Sequence, residues 1–257
     1  MGSNRVGTKK WADATGGSLG IGDRLALLGQ LAMVVGGLPG VILRRSRPIA
    51  SGNPVGARVR PRVVTEAMRR AEAICCELVP EYLRCHSYRT YAWARTLVAL
   101  DGISNDDIDD EVLYVSCLMH DVGLATTQRS FDRPGCFTLT GAQALRGITT
   151  GLWEEERISQ GEEAITLHMN LRVPPSQGIA AHLLSRASQL EALGLGLWKV
   201  SKADRERVFS ECPLDPAQKR GISDLFRRSR HARKSRARMY SAFGSTWLFR
   251  HLGLRAN

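Results

Sequence analysis

From about residue 63 onward, apolar residues recur at the three- and four-residue spacing that is typical of amphipathic helices. Strict alternation of apolar and polar residues, the pattern of a half-buried strand, is essentially absent, so the sequence predicts an all-α fold. Acidic residues at 109–111 favour a helix N-terminus there, and Thr140 is a candidate N-cap. The predicted helices span residues 63–78, 86–100, 109–119, 140–150, 158–169, 177–193, 204–209 and 216–238.

The first 62 residues lack this regular pattern. Residues 1–20 are rich in Gly, Ser and Lys and are predicted to be mobile. Residues 44–62 are rich in Arg and Pro and are predicted to form a linker or a wrapped arm. The chain is therefore divided into an N-terminal extension with its linker (1–62), a helical domain (63–210) and a basic C-terminal helical region packed on that domain (211–257).

Residues 25–43 form an uncharged segment between Arg24 and Arg44. Its length reaches the roughly 18 residues that a membrane-spanning helix requires. However, four glycines and Pro39 make its second half a poor helix. The favoured interpretation is a packed helix over residues 23–35 followed by a turn, and peripheral membrane contact is the alternative.

The charge is strongly positive and unevenly distributed. The chain has 36 Lys and Arg against 25 Asp and Glu, which gives a formal net charge of +11. Such a surface attracts anions but does not identify them. The basic run at 227–238 has only Phe226 and Tyr240 beside it as stacking aromatics, so a solvated helix face is favoured and a nucleic-acid partner is not expected.

The six cysteines form no C-x-x-C pair, and a chain of this size does not need disulfides for stability. They are therefore predicted to be reduced, and the protein is predicted to be cytoplasmic. The sequence contains no P-loop, no G-x-G-x-x-G, no G-x-S-x-G and no H-E-x-x-H motif, so the site must be sought elsewhere.

The clearest chemical signal is the dipeptide His120-Asp121 at the end of an apolar helix. His86 lies on the preceding predicted helix, and His168 lies near the end of a later one. Histidines at the ends of separate helices can meet at one mouth of a bundle, where metal sites are commonly built. Imidazole and carboxylate suit zinc or iron in the first place, with manganese as an alternative.

A resemblance to the HD-domain superfamily of metal-dependent hydrolases, and within it to the cyanamide hydratase-like branch, is carried by four segments. They are HSYRTYAWARTL (86–97), DDEVLYVSCLMHDVGLA (109–125), EEAITLHMN (162–170) and LLSRASQLEALGLG (183–196). The resemblance covers about residues 63–200 and implies an HD-domain helical bundle. It implies one divalent ion bound by His86, His120 and Asp121. The family closes the ligand set with a distant Asp, and the best match here is Glu191, whose longer side chain is a departure from the family pattern.

Three residues are candidates for catalysis besides the metal. Asp121 and His168 could move a proton, and a satisfied structural histidine is the alternative for His168. Arg89 lies one helical turn after His86 and could bind an anionic or polar substrate or brace Asp121.

Three functions follow. The first is attack of a metal-activated water on a small electrophile such as cyanamide or a nitrile. The second is phosphohydrolysis of a nucleotide or phosphomonoester. The third is a non-catalytic protein whose basic surface binds nucleic acid or membrane. The expected partner is a small-molecule substrate, and the oligomeric state is not predicted.

Overall fold

The structure, a computed structural model, describes residues 5–45, 53–126, 136–228 and 234–244. These residues form helices and short 3-10 turns with no β-strand among them, so the predicted all-α class is confirmed. The helices are α1 (Lys9–Thr15), α2 (Ile21–Arg45), α3 (Glu66–Leu78), α4 (Glu81–Leu100), α5 (Asp110–Met119), α6 (Val122–Thr126), α7 (Phe137–Thr149), α8 (Glu155–Leu167), α9 (Ile179–Leu193), α10 (Lys202–Glu211), α11 (Pro216–Arg228) and α12 (Arg236–Ala242). Single 3-10 turns lie at Asn105–Asp107, Pro175–Gln177 and Leu197–Lys199.

Side-chain caps begin several of these helices. Thr65, Asp109 and Ser201 each accept a hydrogen bond from a backbone N–H of the first turn. The predicted start of α5 at the acidic residues is therefore confirmed. The predicted cap at Thr140 is wrong, because α7 begins at Phe137 and Thr140 lies within its first turn. Cys136 occupies the cap position without a side-chain hydrogen bond, so packing determines where this helix begins.

The core of the bundle is built around α4, α5, α8 and α9. α4 packs against α5 and α9, and α8 packs against α5, α7 and α9. Every residue of α5 from Val112 to Met119 is buried, which explains its almost uninterrupted apolar sequence. The bundle therefore surrounds α5 and brings its C-terminal end close to the ends of neighbouring helices.

Two glycines allow α7 to approach the end of α5 closely. A Cβ atom at Gly141 would lie 2.5 Å from the carbonyl oxygen of Met119, and one at Gly123 would collide with the carbonyl of Phe137. Because no side chain larger than hydrogen fits at either position, these contacts fix the backbone on both sides of His120 and Asp121.

The predicted mobility of residues 1–20 is wrong for the part that the structure describes. α1 begins at a Thr8 cap, and Trp11 is buried in a small cluster with Leu27 and Tyr240. The backbone N–H of Lys9 donates to Glu163 on α8. One tryptophan and a local cap outweigh the Gly- and Ser-rich composition, because burying a large aromatic surface offsets the entropy of ordering the segment.

α2 also differs from its prediction. Instead of ending near residue 35, it continues as one helix through Pro39 to Arg45. Its surroundings differ as well, because Leu27 is buried while Ile21, Leu25 and Met33 are exposed. No helix within the described residues is long and apolar enough to cross a membrane.

The predicted helix over residues 216–238 is wrong, because the chain forms two helices there. α11 ends at Arg228, and α12 begins after a Ser235 cap whose backbone is extended. Residues 229–233 of the basic run lie outside the described residues. Arg236, counted in the sequence as part of a solvated basic face, has no exposed surface. α11 packs against α4 and α6.

Candidate metal centre

Three helix ends meet around Asp121. His86 lies in the second turn of α4, His120 caps the C-terminal end of α5, and His168 caps the C-terminal end of α8. Asp121 stands between α5 and α6. All four side chains are buried, at 7% exposure or less. The predicted convergence of the histidines at one end of the bundle is therefore what the packing of α4, α5 and α8 produces.

Asp121 is the centre of the cluster. Its Oδ2 atom lies 3.4 Å from Nε2 of His86 and 3.4 Å from Nε2 of His120. Its other oxygen, Oδ1, lies 3.7 Å from Nε2 of His168. One carboxylate therefore contacts three imidazole rings, with His86 and His120 sharing one oxygen and His168 facing the other.

Backbone carbonyls determine how two of the rings are oriented. Nδ1 of His120 lies 2.7 Å from the carbonyl oxygen of Cys117, and Nδ1 of His168 lies 2.7 Å from that of Ile165. A carbonyl oxygen can only accept, so each Nδ1 carries the proton. The Nε2 atoms of both neutral rings therefore present a lone pair toward Asp121, which is the state that a metal ligand requires.

The donor set fits a divalent ion. Ligand atoms of His86, His120 and Asp121 all lie within 4.8 Å of one another, so a single ion could contact all three. Nε2 of His120 is buried and has no hydrogen-bond partner in the structure. Leaving a buried polar atom without a partner is costly, and a bound ion would satisfy it. Two imidazoles and a carboxylate suit zinc, iron and manganese.

Glu191 lies behind His86 rather than beside the other ligand atoms. Its Oε1 atom is 3.5 Å from Nδ1 of His86, on the side of the ring away from Asp121. Oε1 also accepts from Nε of Arg89 at 2.7 Å, and Oε2 accepts from Nε1 of Trp93 at 2.5 Å. Glu191 therefore contacts the candidate metal centre through the His86 ring. It is not one of the three residues, His86, His120 and Asp121, whose ligand atoms lie close enough together to share one ion.

Arg89 differs from both of its predicted roles. It has no exposed surface, so it presents no face to a substrate, and its charged partner is Glu191 rather than Asp121. Its Nη1 atom donates to the carbonyl oxygen of Pro213 at 2.8 Å. The arginine therefore fixes Glu191 between α4, α9 and the loop before α11. The helical spacing placed Arg89 near the site but did not reveal which carboxylate it meets.

The charges of the cluster follow from its burial and its contacts. Burial lowers the pKa of His86, but Asp121 and Glu191 more than reverse this and raise it to about 9. Burial would raise the pKa of Asp121, but His120 and His86 keep it well below its ordinary value. Burial lowers the pKa of His168 to about 3, and neighbouring His120 adds to this. At neutral pH, Asp121 is therefore ionised and His168 is neutral.

Sequence reasoning missed two residues near the site. Trp93 lies one turn beyond Arg89 on the same face of α4, and this spacing could have suggested a shared partner. Arg236 donates to Asn170, Thr138 and the carbonyl of Thr166, close to the end of α8 that carries His168. No sequence signal distinguishes Arg236 from its exposed neighbours in the basic run.

Comparison with known families agrees with this geometry. A family model described as the HD domain matches residues 83–205, a segment that contains His86, His120, Asp121, His168 and Glu191. The match supports the assignment of this segment to the HD-domain superfamily, whose members are generally metal-dependent hydrolases. No curated protein matches the chain.

Proposed function

We propose that the protein is a metal-dependent hydrolase whose single divalent ion is bound by His86, His120 and Asp121. The observation that carries the proposal is the cluster itself, in which two histidine Nε2 atoms lie 3.4 Å from one buried Asp121 oxygen. The match of residues 83–205 to the HD domain supports the same conclusion. When bound, such an ion supplies Lewis acidity and makes water a stronger nucleophile near neutral pH.

Glu191 acts on the ion through His86 in this proposal. A carboxylate that faces the second ring nitrogen of a metal-binding histidine fixes the orientation and tautomer of the ring and makes it a stronger ligand. Arg89 and Trp93 hold the Glu191 carboxylate from two other directions. Both oxygens of Glu191 thus have a hydrogen-bond donor without a direct bond to the ion, even though the family pattern places a ligand at this position.

His168 is positioned to orient the nucleophile. Its Nε2 atom faces the Asp121 oxygen that His86 and His120 do not share, at 3.7 Å. Because burial keeps the pKa of this ring low, His168 is neutral at neutral pH and a weak base. Its Nδ1–H is bonded to the carbonyl of Ile165, so Nε2 has a lone pair that can accept a hydrogen bond from the attacking water. Asp121 serves as a ligand and faces His168 with its second oxygen.

The substrate proposed is a small uncharged electrophile, such as cyanamide or a nitrile. Arg89 and Arg236 lie close to the cluster, and both are fully buried. Their guanidinium groups hydrogen-bond to Glu191, to Asn170 and to backbone carbonyls, and the two nitrogens that make no hydrogen bond, Nη2 of Arg89 and Nε of Arg236, are buried as well. This engagement favours a neutral substrate over a phosphate ester, since a phosphoryl group calls for available cationic donors.

An assay of metal-loaded protein tests the substrate. Cyanamide and small nitriles are compared with a panel of phosphomonoesters and nucleotides, with His168→Gln as the matched variant. The proposal expects turnover of cyanamide or a nitrile and a loss of about 100-fold or more in kcat for His168→Gln, with metal content unchanged. Turnover confined to phosphate esters would replace this substrate class with the phosphohydrolase alternative. Metal-loaded protein that is inactive on both panels would support the non-catalytic alternative.

We also propose that the protein works in the cytoplasm. All six cysteines carry free thiols, and five of them are buried. Buried thiols suit a reducing compartment, where they behave as small apolar side chains. Fractionation of cells followed by detection of the protein would test this location.

A further inference from the structure

α2 presents an unusually apolar surface to solvent. Ile21 is 82% exposed, Leu25 is 64% exposed and Met33 is 65% exposed. The segment between Arg24 and Arg44, which forms most of the helix, contains no charged residue that could interact with water in their place. Among the residues of α2 whose burial is described, Leu27 is buried in the cluster around Trp11. A helix with large apolar residues in contact with water loses the stabilisation that burial would supply, and such surfaces mark binding sites.

The sequence around α2 is strongly basic. From residue 24 to residue 65 it contains no acidic residue but seven arginines. These are Arg24, Arg44, Arg45, Arg47, Arg58, Arg60 and Arg62. Arg44 and Arg45 are the last two residues of α2, and Arg24 lies in its first turn. The apolar helix therefore has the oppositely charged Asp23 and Arg24 at its N-terminal end and two arginines at its C-terminal end, and Arg58 and Arg62 are exposed beyond it.

We propose that α2 docks on the surface of an anionic lipid bilayer. Its apolar residues would enter the boundary between headgroups and acyl chains, while the arginines at its ends bind anionic headgroups. Charge favours this occupant over a parallel pair of α2 helices, because that pairing would bring Arg44 and Arg45 of two chains together. The basic stretch that follows α2, with Arg47, Arg58, Arg60 and Arg62 and no acidic residue, complements an anionic surface. The metal centre plays no part in this binding, so the inference is independent of the proposed function.

Flotation of the full-length protein with lipid vesicles tests the proposal. One set of vesicles contains phosphatidylcholine alone, and the other contains phosphatidylcholine and phosphatidylglycerol. The protein is expected to float with the anionic vesicles, and to bind them several-fold less at high salt because screening weakens the arginine contacts. In the variant Leu25→Glu/Met33→Glu, binding is expected to fall by about tenfold or more, since both changes place charge on the apolar face.

A matched variant controls for the added charge. Leu100 and Leu152 are also exposed, at 37% and 39%, and lie outside α2. Leu100→Glu/Leu152→Glu therefore adds the same two charges and is expected to float like the wild type. Arg44→Gln/Arg45→Gln is expected to lose its preference for anionic over neutral vesicles. Circular dichroism and metal content establish that each variant is folded.

Three results would overturn the proposal. The first is wild-type protein that does not float with anionic vesicles. The second is equal loss of binding in the two glutamate variants, which would mean that net charge alone is responsible. The third is a dimer in sedimentation equilibrium that Leu25→Glu/Met33→Glu converts to a monomer without any vesicle binding, which would assign α2 to a second copy of the chain.

Discussion

The orientation of the His120 ring depends on one backbone carbonyl. Because Nδ1–H of His120 donates to the carbonyl of Cys117, only Nε2 is left to face Asp121, and it is buried without a hydrogen-bond partner. His168 uses the same arrangement with the carbonyl of Ile165. His86 has no such carbonyl partner, and Glu191 faces its Nδ1 atom instead. At the scale of single residues, two rings are thus oriented by hydrogen bonds to carbonyls, and the third faces a carboxylate at 3.5 Å without a hydrogen bond at its Nδ1 atom.

The role of Glu191 gives a prediction at this scale. Glu191→Gln keeps the size of the side chain but removes its charge, so the His86 ring should become a weaker ligand. Metal affinity measured by chelator competition is expected to fall by about 10- to 100-fold. The visible spectrum of the cobalt-loaded protein should keep its shape, because the atoms bound to the ion are the same.

A second glutamate provides the control. Glu154 is exposed at the start of α8, and Glu154→Gln should leave both metal affinity and the cobalt spectrum unchanged. If Glu191→Gln instead alters the spectrum of the cobalt protein, Glu191 is a direct ligand, as the family pattern implies, and its placement behind His86 does not describe the metal-loaded state.

At the scale of elements, the centre depends on how closely α7 passes the end of α5. Gly141 lies against the carbonyl of Met119, immediately before the two residues that supply ligands. α5 cannot shift away, because its side chains from Val112 to Met119 are buried on all sides. The position of His120 and Asp121 therefore follows from helix packing as well as from their own sequence.

Gly141→Ala is predicted to disturb this packing. The added methyl group would force α7 away from α5, at a cost of about 1–3 kcal/mol in the free energy of unfolding. Metal affinity should fall with it, because the backbone of His120 moves. Urea denaturation and chelator competition measure the two effects.

Gly147 is the internal control, since it lies on the same helix with no atom within 4 Å of an added Cβ. Gly147→Ala should stabilise the protein by up to about 1 kcal/mol through helix propensity. Equal stability changes for the two variants would show that the close approach at Gly141 is not what holds the helices together.

At the scale of the whole molecule, the two ends of the described chain meet beside the end of α8. Trp11 and Leu27 from the N-terminal part pack with Tyr240 from α12. Asn170 donates to the carbonyl of Val6 and accepts from Arg236, so it connects both ends. The division at residues 62 and 210 remains a prediction, but the contacts show that residues outside 63–210 support the region that carries His168.

Trp11→Ala is predicted to destabilise the whole protein. Removing this buried ring leaves a cavity between α1, α2 and α12, and truncations of buried aromatics cost about 3–5 kcal/mol. Thermal unfolding followed by circular dichroism measures the change, and Lys10→Ala, at an exposed neighbouring position, is the control. A loss below about 0.5 kcal/mol for Trp11→Ala would mean that residues 5–20 are as mobile as their composition suggested.

Much of the fold was predictable because helical periodicity records burial directly. The cluster of His86, His120 and Asp121 was predictable because the segments that contain them resemble the HD-domain superfamily, and that resemblance implies these three residues as ligands. The partner of Arg89 was not, since Glu191 lies 102 positions away in sequence and only packing brings them together. The burial of Arg236 was missed for the same reason. Local composition describes what a residue prefers, and tertiary contacts decide what it does.

The metal content of the purified protein tests the central claim most directly. Protein prepared without chelators is analysed for zinc, iron and manganese, together with His120→Ala and with His182→Ala as the control histidine variant. His182 lies outside the cluster, with its Nδ1 atom 2.6 Å from the carbonyl of Val173. About one ion per chain is expected in the wild type and in His182→Ala, and none in His120→Ala. Wild-type protein that contains and takes up no divalent ion, or a His120→Ala variant that keeps its ion, would contradict it.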